Sequence, residues 1–152
     1  LGESPPPGVR VEFLTPLRLK SRGHLIGPAE FSLREWLVQL LWRLNDLGRQ
    51  YGRGQGLLEL RWFEEAFAGL RTQDQRFGWR DWTRYSSRQD SLMEMGGLVG
   101  QLTLSGAGLV PLWPLLRLGE GVHVGKATSM GLGRYRLSVA ASLPSGSPEE
   151  ER

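Results

Sequence analysis

The segment from Ser32 to Gly48 constrains the fold most, because its apolar residues follow a clear helical period. They recur at i, i+3 and i+4 and therefore share one face of an amphipathic helix: Leu33, Trp36, Leu37, Leu40, Leu41, Leu44 and Leu47. The sequence SLRE opens this run as a capping box, with Ser32 at the N-cap and Glu35 three residues later. Gly48 marks the predicted end of the helix.

Alternation of apolar and polar residues predicts strands on both sides of this helix. The first covers Val9 to Lys20, with a bend or interruption at Pro16. Another covers Arg76 to Gln89, where a change of phase between Trp79 and Trp82 indicates a bulge. Two more strands are predicted from the alternation at 98–105 and at 134–141.

Two further segments complete the order of elements. Leu57 to Leu70 is ambiguous between a short helix and a strand, and Pro111 to Leu118 is predicted to be a short helix with a proline near its first turn. The order strand, helix, strand, strand, helix, strand is the ferredoxin-like βαββαβ pattern of the α+β class. We therefore predict four antiparallel strands with two helices on one face, which leaves the other face free for a ligand.

Composition limits the kinds of site that this chain can build. It has 152 residues, enough for one domain, with no cysteine and two histidines, so neither disulfides nor a thiolate metal site can form. We expect no metal and no cofactor, a cytoplasmic location and no membrane span. Arginine supplies 17 of the 19 basic residues. This excess suits phosphate binding and stacking on bases, although a GC-rich genome would also produce it.

A glycine-rich loop at 123–133, with the sequence HVGKATSMGLG, precedes the last predicted strand. It is not a P-loop, because Glu120 stands where the leading glycine is needed and Ala127 follows the lysine. The dinucleotide fingerprint fails too, since Arg136 replaces its third glycine. Lys126, Thr128 and Ser129 could still bind an anion. The alternative is a tight connection that feeds the edge of a sheet.

The arginines at 80, 84 and 88 recur at every fourth position of the predicted strand 76–89. In a regular strand Arg80, Arg84 and Arg88 would share one face with Trp82 and Ser86. Guanidinium groups and an aromatic ring on one face would suit single-stranded RNA. The alternative is a solvated face whose arginines pair with nearby aspartates.

His123 is the imidazole nearest the glycine-rich loop, and histidine acts as a general acid or base near neutral pH. With Lys126 or Arg134 it could supply the groups that metal-free RNA cleavage needs. The alternative is a structural histidine that only donates a hydrogen bond. His24, in a predicted loop, is a poorer candidate.

Four stretches in this order resemble the C-terminal half of the CRISPR precursor-RNA processing endoribonucleases of the RAMP superfamily. They are VEFLTPLRLK, WTRYSSRQ, MGGLVGQLTLSG and HVGKATSMGLGRY, and together they extend from Val9 to about Val139. The resemblance implies two ferredoxin-like domains in tandem in the whole enzyme, which binds CRISPR repeat RNA in prokaryotic antiviral defence. It also implies metal-independent cleavage that leaves a 2′,3′-cyclic phosphate.

The resemblance implies two RNA-binding stretches in this chain. One is the glycine-rich loop with Gly125, Lys126, Thr128, Ser129, Gly131, Gly133 and Arg134, and the other carries Arg80, Arg84, Tyr85, Ser86, Arg88 and Gln89. The catalytic histidine of the family usually lies in the N-terminal domain, so cleavage by this chain alone is in question. We expect residues 1–8 to be a linker from that missing domain, 9–142 to be the C-terminal domain and 143–152 to be a disordered tail.

Two other functions remain open at this point. One is a non-catalytic RAMP subunit that scaffolds guide RNA in an interference complex, and the other is an interaction domain with a purely structural loop. The expected partners are repeat RNA, the N-terminal ferredoxin-like domain, and other CRISPR complex subunits or a second copy of the chain.

Overall fold

The computed structural model describes residues 4–51, 58–81 and 83–140. In chain order its elements are β1 (Gly8–Leu17), β2 (Lys20–Ser21), β3 (His24–Leu25), α1 (Leu33–Tyr51), α2 (Leu60–Ala68), β4 (Arg71–Arg80), β5 (Thr83–Ser86), β6 (Ser91–Glu94), β7 (Gly97–Ser105), α3 (Leu109–Val122) and β8 (Tyr135–Val139). Four strands form one antiparallel sheet in the order β4-β7-β1-β8. The pairs β2-β3 and β5-β6 form two small ribbons.

This sheet order confirms the predicted ferredoxin-like α+β fold. The first and third of its four strands, β1 and β7, lie in the centre, and the second and fourth, β4 and β8, lie at the edges. The segment that was ambiguous in the sequence forms α2, so the described part of the chain has three helices rather than the two predicted.

The core lies between the sheet and the apolar face of α1. Val9, Val11 and Phe13 point from β1 into this layer and are buried, as the alternation predicts. The Phe13 ring packs edge-on against Trp36 with 5.2 Å between ring centroids, and it lies 5.9 Å from the ring of Tyr135. Each such aromatic pair adds about 0.5–1.5 kcal/mol beyond the burial of its surface. The aromatic cluster therefore fixes β1 and β8 against α1.

The predicted interruption of β1 at Pro16 is confirmed. The register of β1 against β7 shifts between Phe13 and Leu17. Proline has no N–H to donate to a ladder, so a strand bends or bulges where one occurs. The Pro16 carbonyl instead accepts a hydrogen bond from the backbone N–H of Gly133, at 2.9 Å.

Two helix boundaries differ from the prediction. Helix α1 does not end at Gly48 but continues to Tyr51. The Asn45 side chain explains this, because it donates to the carbonyl of Leu58 at 2.8 Å and accepts from the Leu58 N–H at 2.9 Å. Tertiary bonds thus hold the last turns in place despite the glycine. Helix α3 is longer than predicted at both ends, and Pro111 lies in its first turn, where a missing N–H costs little.

The predicted continuous strand from Arg76 to Gln89 is wrong. Strand β4 ends at Arg80, which pairs with Gly97, the first residue of β7. Beyond that pair β7 offers no partner, so the chain leaves the sheet and forms a hairpin from β5 and β6. The register of β4 shifts between Gln73 and Arg76, where Asp74 has a φ of 54°, whereas in the interval from Trp79 to Trp82, where a bulge was predicted, the strand ends.

The division of the chain into a linker, a domain and a tail stays a prediction. Strand β1 begins at Gly8, within the proposed linker 1–8, and the predicted tail 143–152 lies outside the described residues. Of the helices in the described ranges, none is both long and apolar enough to span a membrane.

Candidate nucleic-acid interface

The glycine-rich loop is fastened to the bent end of β1. The Lys126 N–H donates to the carbonyl of Arg18 at 2.9 Å, and the Val124 N–H donates to the carbonyl of Gly133 at 3.2 Å. Together with the bond between Gly133 and Pro16, these contacts close the loop and join it to the sheet. The loop therefore holds its outward side chains on a backbone fixed at both ends.

Thr15 strengthens this attachment with its side chain. Its Oγ1 donates to the carbonyl of Gly131 at 2.7 Å and accepts from the N–H of Arg134 at 2.9 Å. Sequence reasoning missed Thr15, because a threonine in a strand carries no signal that it will bond to a loop more than a hundred residues away.

Two glycines of the loop are required by close backbone contacts. Gly125 and Gly133 have φ values of 102° and 78°, and a β-carbon on either would collide with a carbonyl, of Arg18 and of Val124 respectively. Gly131 also has a positive φ, but the space beside it is open. The backbone of the loop thus forms the tight connection to the sheet edge that was the alternative prediction. Its exposed side chains remain available to bind a ligand.

The outward surface of the loop is cationic and polar. Lys126, Ser129 and Arg134 are exposed and Thr128 is partly exposed, whereas Val124 and Leu132 point inward and are buried. Ammonium, guanidinium and hydroxyl groups on a fixed backbone can bind an anion such as an RNA phosphate.

His123 lies where α3 ends and the loop begins. Its backbone has a φ of 63°, and its N–H donates to the carbonyl of Gly119 at 3.0 Å. Partial burial lowers the pKa of the His123 imidazole, and the positive charges of Arg134 and Arg43 lower it further. The ring is therefore neutral near pH 7 and able to accept a proton.

The second predicted stretch is split between three elements, so the regular strand that would put the arginines on one face does not form. Arg80 ends β4, Arg84 lies in β5, and Arg88 lies in the turn between β5 and β6. Trp82 is outside the described residues. The break occurs because β4 loses its partner strand at Arg80, which the sequence pattern of one strand does not reveal.

The hairpin formed by β5 and β6 exposes three of the predicted polar residues, Tyr85, Arg88 and Gln89. Tyr85 is 57% exposed, and its hydroxyl donates to Asp90. The Ser86 hydroxyl accepts from the N–H of Gln89 at 3.3 Å and so shapes the turn. Arg88 and Gln89 are both exposed in that turn.

Arg18 brings the loop and the hairpin to the same end of the sheet. Its carbonyl holds Lys126, and its guanidinium donates to the carbonyl of Gly96 at 2.5 Å. Gly96 connects the hairpin to β7, and Arg80 pairs with the adjacent Gly97. The two predicted RNA-binding stretches thus lie on either side of Arg18, which was not among the predicted RNA-binding residues.

A groove that the sequence analysis did not identify borders the loop. Its volume is about 510 Å³, and α1 and the loop line it with Gln39, Trp42, Arg43, Asp46, Leu47, Gln50, Gly125 and Lys126. Trp42 could have been found in the sequence, because it lies off the apolar stripe of the helix. Among the described residues, no three histidine, aspartate or glutamate side chains are placed to hold a metal ion.

Comparison with known proteins agrees with this architecture. Residues 11–135 match the family model described as CRISPR-associated endoribonuclease Cas6. A Cas6 product complex shares the fold with a TM-score of 0.54 and 22% identity, and the alignment covers 88% of this chain and 52% of that one. Thermus thermophilus Cas6 gives 0.56 and 18%, with 90% and 55% covered. A Cas6-RT-Cas1–Cas2 complex gives 0.59 and 17%, with 92% and 15% covered.

These structural relatives are distant and longer. The chain spans about half the length of the first two, and at such identities the likeness shows the fold alone. No curated protein matches the sequence. The family match includes β1 from Val11 onward, both ribbons and the whole glycine-rich loop. The chain therefore belongs to the family of the CRISPR-associated endoribonuclease Cas6.

Proposed function

We propose that this chain binds the repeat RNA of CRISPR transcripts, as the C-terminal part of a metal-independent endoribonuclease that processes those transcripts. The observation that carries the proposal is the anchored glycine-rich loop, which lies within the family match and presents Lys126 and Arg134 to solvent. The match is to the endoribonuclease family, and no observation favours the scaffold subunit.

The loop suits phosphate binding because its backbone cannot move away from the sheet easily. Hydrogen bonds from the Lys126 N–H to the Arg18 carbonyl and from the Gly133 N–H to the Pro16 carbonyl fix the backbone that carries the cationic side chains. A fixed cation loses less conformational freedom on binding than a mobile one. The hairpin with Tyr85 and Arg88 offers a second contact at the same end of the sheet, through the link at Arg18.

Metal-independent cleavage of RNA requires two proton transfers and stabilisation of the negative charge on the phosphate. The 2′-oxygen attacks the phosphorus while a base takes its proton, the bond from phosphorus to the 5′-oxygen breaks, and that oxygen receives a proton. The His123 imidazole, whose pKa is lowered by burial and by the charges of Arg134 and Arg43, is the candidate base in this chain. The resemblance to the processing endoribonucleases also implies a second ferredoxin-like domain, which is the other candidate source of a catalytic histidine.

RNA binding is tested by titrating the chain into labelled repeat RNA from the same genome, with an RNA of shuffled sequence beside it. We expect Lys126→Ala to weaken binding about tenfold, as loss of a charge-assisted contact does. The matched control is Arg61→Ala, which removes one exposed positive charge from α2. Equal affinities of the two variants would contradict the proposed role of the loop.

Cleavage is tested separately, with the same RNA in EDTA on a denaturing gel. A cut that disappears in His123→Ala would place a working base in this chain. Intact RNA together with tight binding would show that this chain binds without cleaving, as a scaffold subunit or a part that needs a second domain would, and would leave the binding role of the loop in place.

A further inference from the structure

The groove between α1 and the glycine-rich loop contains an aromatic side chain that the core does not need. Trp42 is 47% exposed, whereas Trp36, on the apolar stripe of the same helix, is fully buried. An exposed tryptophan presents a large π-face to any ligand that enters the groove. Its position beside Lys126 connects it with the outward surface of the loop.

Positive charge dominates the described residues that line this groove. Arg43 and Lys126 are the cations, and the acidic member, Asp46, pairs with Arg49 at 2.8 Å. Arg43 is held in place because its Nε donates to the carbonyl of Val122 at 2.8 Å. That bond does not involve the two terminal nitrogens of the guanidinium, which can donate elsewhere.

Amide side chains supply polar edges around the aromatic ring. Gln39 is oriented by a hydrogen bond from its Nε2 to the carbonyl of Lys20, at 3.1 Å, which leaves its oxygen as an acceptor outside that bond. Gln50 lines the same groove. The volume of about 510 Å³ lies in the range of small-molecule pockets, about 300–1,000 Å³.

We propose that this groove binds one unpaired nucleotide of an RNA strand, with the base stacked on Trp42 and phosphates held by Arg43 and Lys126. The inference rests on the proposed RNA-binding function and adds a base-stacking site to it. Aromatic stacking combined with cations on a backbone track is the general mode of single-strand recognition. Because Arg43 donates to the carbonyl of Val122, the residue before His123, the nucleotide would lie close to the start of the loop.

The first test compares two probes: a short unstructured RNA of mixed sequence and an abasic ribose-phosphate strand of the same length. We expect Trp42→Ala to weaken binding of the RNA roughly 5- to 100-fold, the range for loss of a stacking aromatic. Binding of the abasic strand should not change. Trp42→Phe should restore most of the affinity, and Leu118→Ala, which removes an exposed apolar residue from α3, should have no effect.

The outcomes separate this inference from the proposed function. Salt-dependent RNA binding that is equal in wild type and Trp42→Ala would overturn the stacking site alone. Absence of salt-dependent RNA binding by the wild-type chain would overturn both. An equal loss for the RNA and the abasic strand would show that Trp42 does not contact a base.

A second test needs no variant and so does not depend on how a variant folds. The same RNA with 5-iodouridine is photocrosslinked to the wild-type chain, which is then digested with trypsin. We expect a crosslink in the peptide between Arg34 and Arg43, at Trp42, because the other tryptophan of that peptide, Trp36, is buried. Crosslinks confined to other peptides would overturn the inference.

Discussion

At the scale of single residues, glycines that look alike in the sequence of the loop have different structural roles. Gly125 and Gly133 combine a positive φ with carbonyl oxygens where a β-carbon would lie, whereas Gly131 has the positive φ alone. The sequence left open a tight connection to the edge of the sheet, and the backbone of the loop forms one. Which glycine makes the close approach depends on how the loop folds against Arg18 and against its own residue Val124, and the sequence does not contain that information directly.

Replacement of Gly133 tests this distinction. We expect Gly133→Ala to lower the free energy of unfolding by about 2–4 kcal/mol, because strain at positive φ adds to a clash with the Val124 carbonyl. Gly121→Ala, in α3 with open space around it, should leave stability unchanged or raise it by up to about 1 kcal/mol. Urea denaturation measures both, and equal stabilities would contradict the role of Gly133.

His123 predicts a pH dependence of stability whose sign follows from its environment. Burial and two arginines lower the pKa of the folded imidazole below the unfolded value of about 6.5. The unfolded chain then binds more protons in the window just below that value, so stability falls as the pH is lowered through it. Between about pH 7.5 and pH 5, His123→Asn should show a smaller loss of stability than wild type. An equal or larger loss in thermal denaturation would contradict the predicted pKa.

At the scale of elements, periodicity predicted the elements themselves but not all of their ends. The strands β1, β7 and β8 and the helix α1 lie where the apolar patterns place them. The ends of β4 and α1 were wrong, because β4 stops where β7 stops and α1 is extended by the bonds of Asn45. Both ends depend on residues distant in the sequence, so a pattern within one element cannot reveal them.

Asn45 provides a test at this scale. We expect Asn45→Ala to lower the free energy of unfolding by about 2 kcal/mol, because it leaves a backbone N–H and a carbonyl at Leu58 without their partners. Arg49→Ala, in the same part of α1, removes an exposed ion pair and should cost less than about 0.5 kcal/mol. Chemical denaturation distinguishes the two, and a neutral Asn45→Ala would contradict our account of why α1 passes Gly48.

At the scale of the whole molecule, the ferredoxin-like sheet brings separate stretches of sequence to one end. The glycine-rich loop, predicted from the sequence, and the hairpin of β5 and β6, which replaces part of a predicted strand, lie on either side of Arg18. Trp42 and Arg43 join the loop from α1, and Thr15 joins it from β1. The sequence could indicate the residues with the right chemistry, but only the packing of α1 and β1 shows which of them share a surface.

The salt dependence of RNA affinity tests whether the loop binds RNA phosphates through the cations on its anchored backbone. In a titration of labelled repeat RNA at several salt concentrations, log K should fall linearly with log salt, with a slope of about 0.7 per phosphate contacted on a single strand. Lys126→Ala should reduce that slope by about 0.7, while Arg61→Ala should leave it unchanged. An affinity independent of salt, or a slope unaltered in Lys126→Ala, would contradict the account.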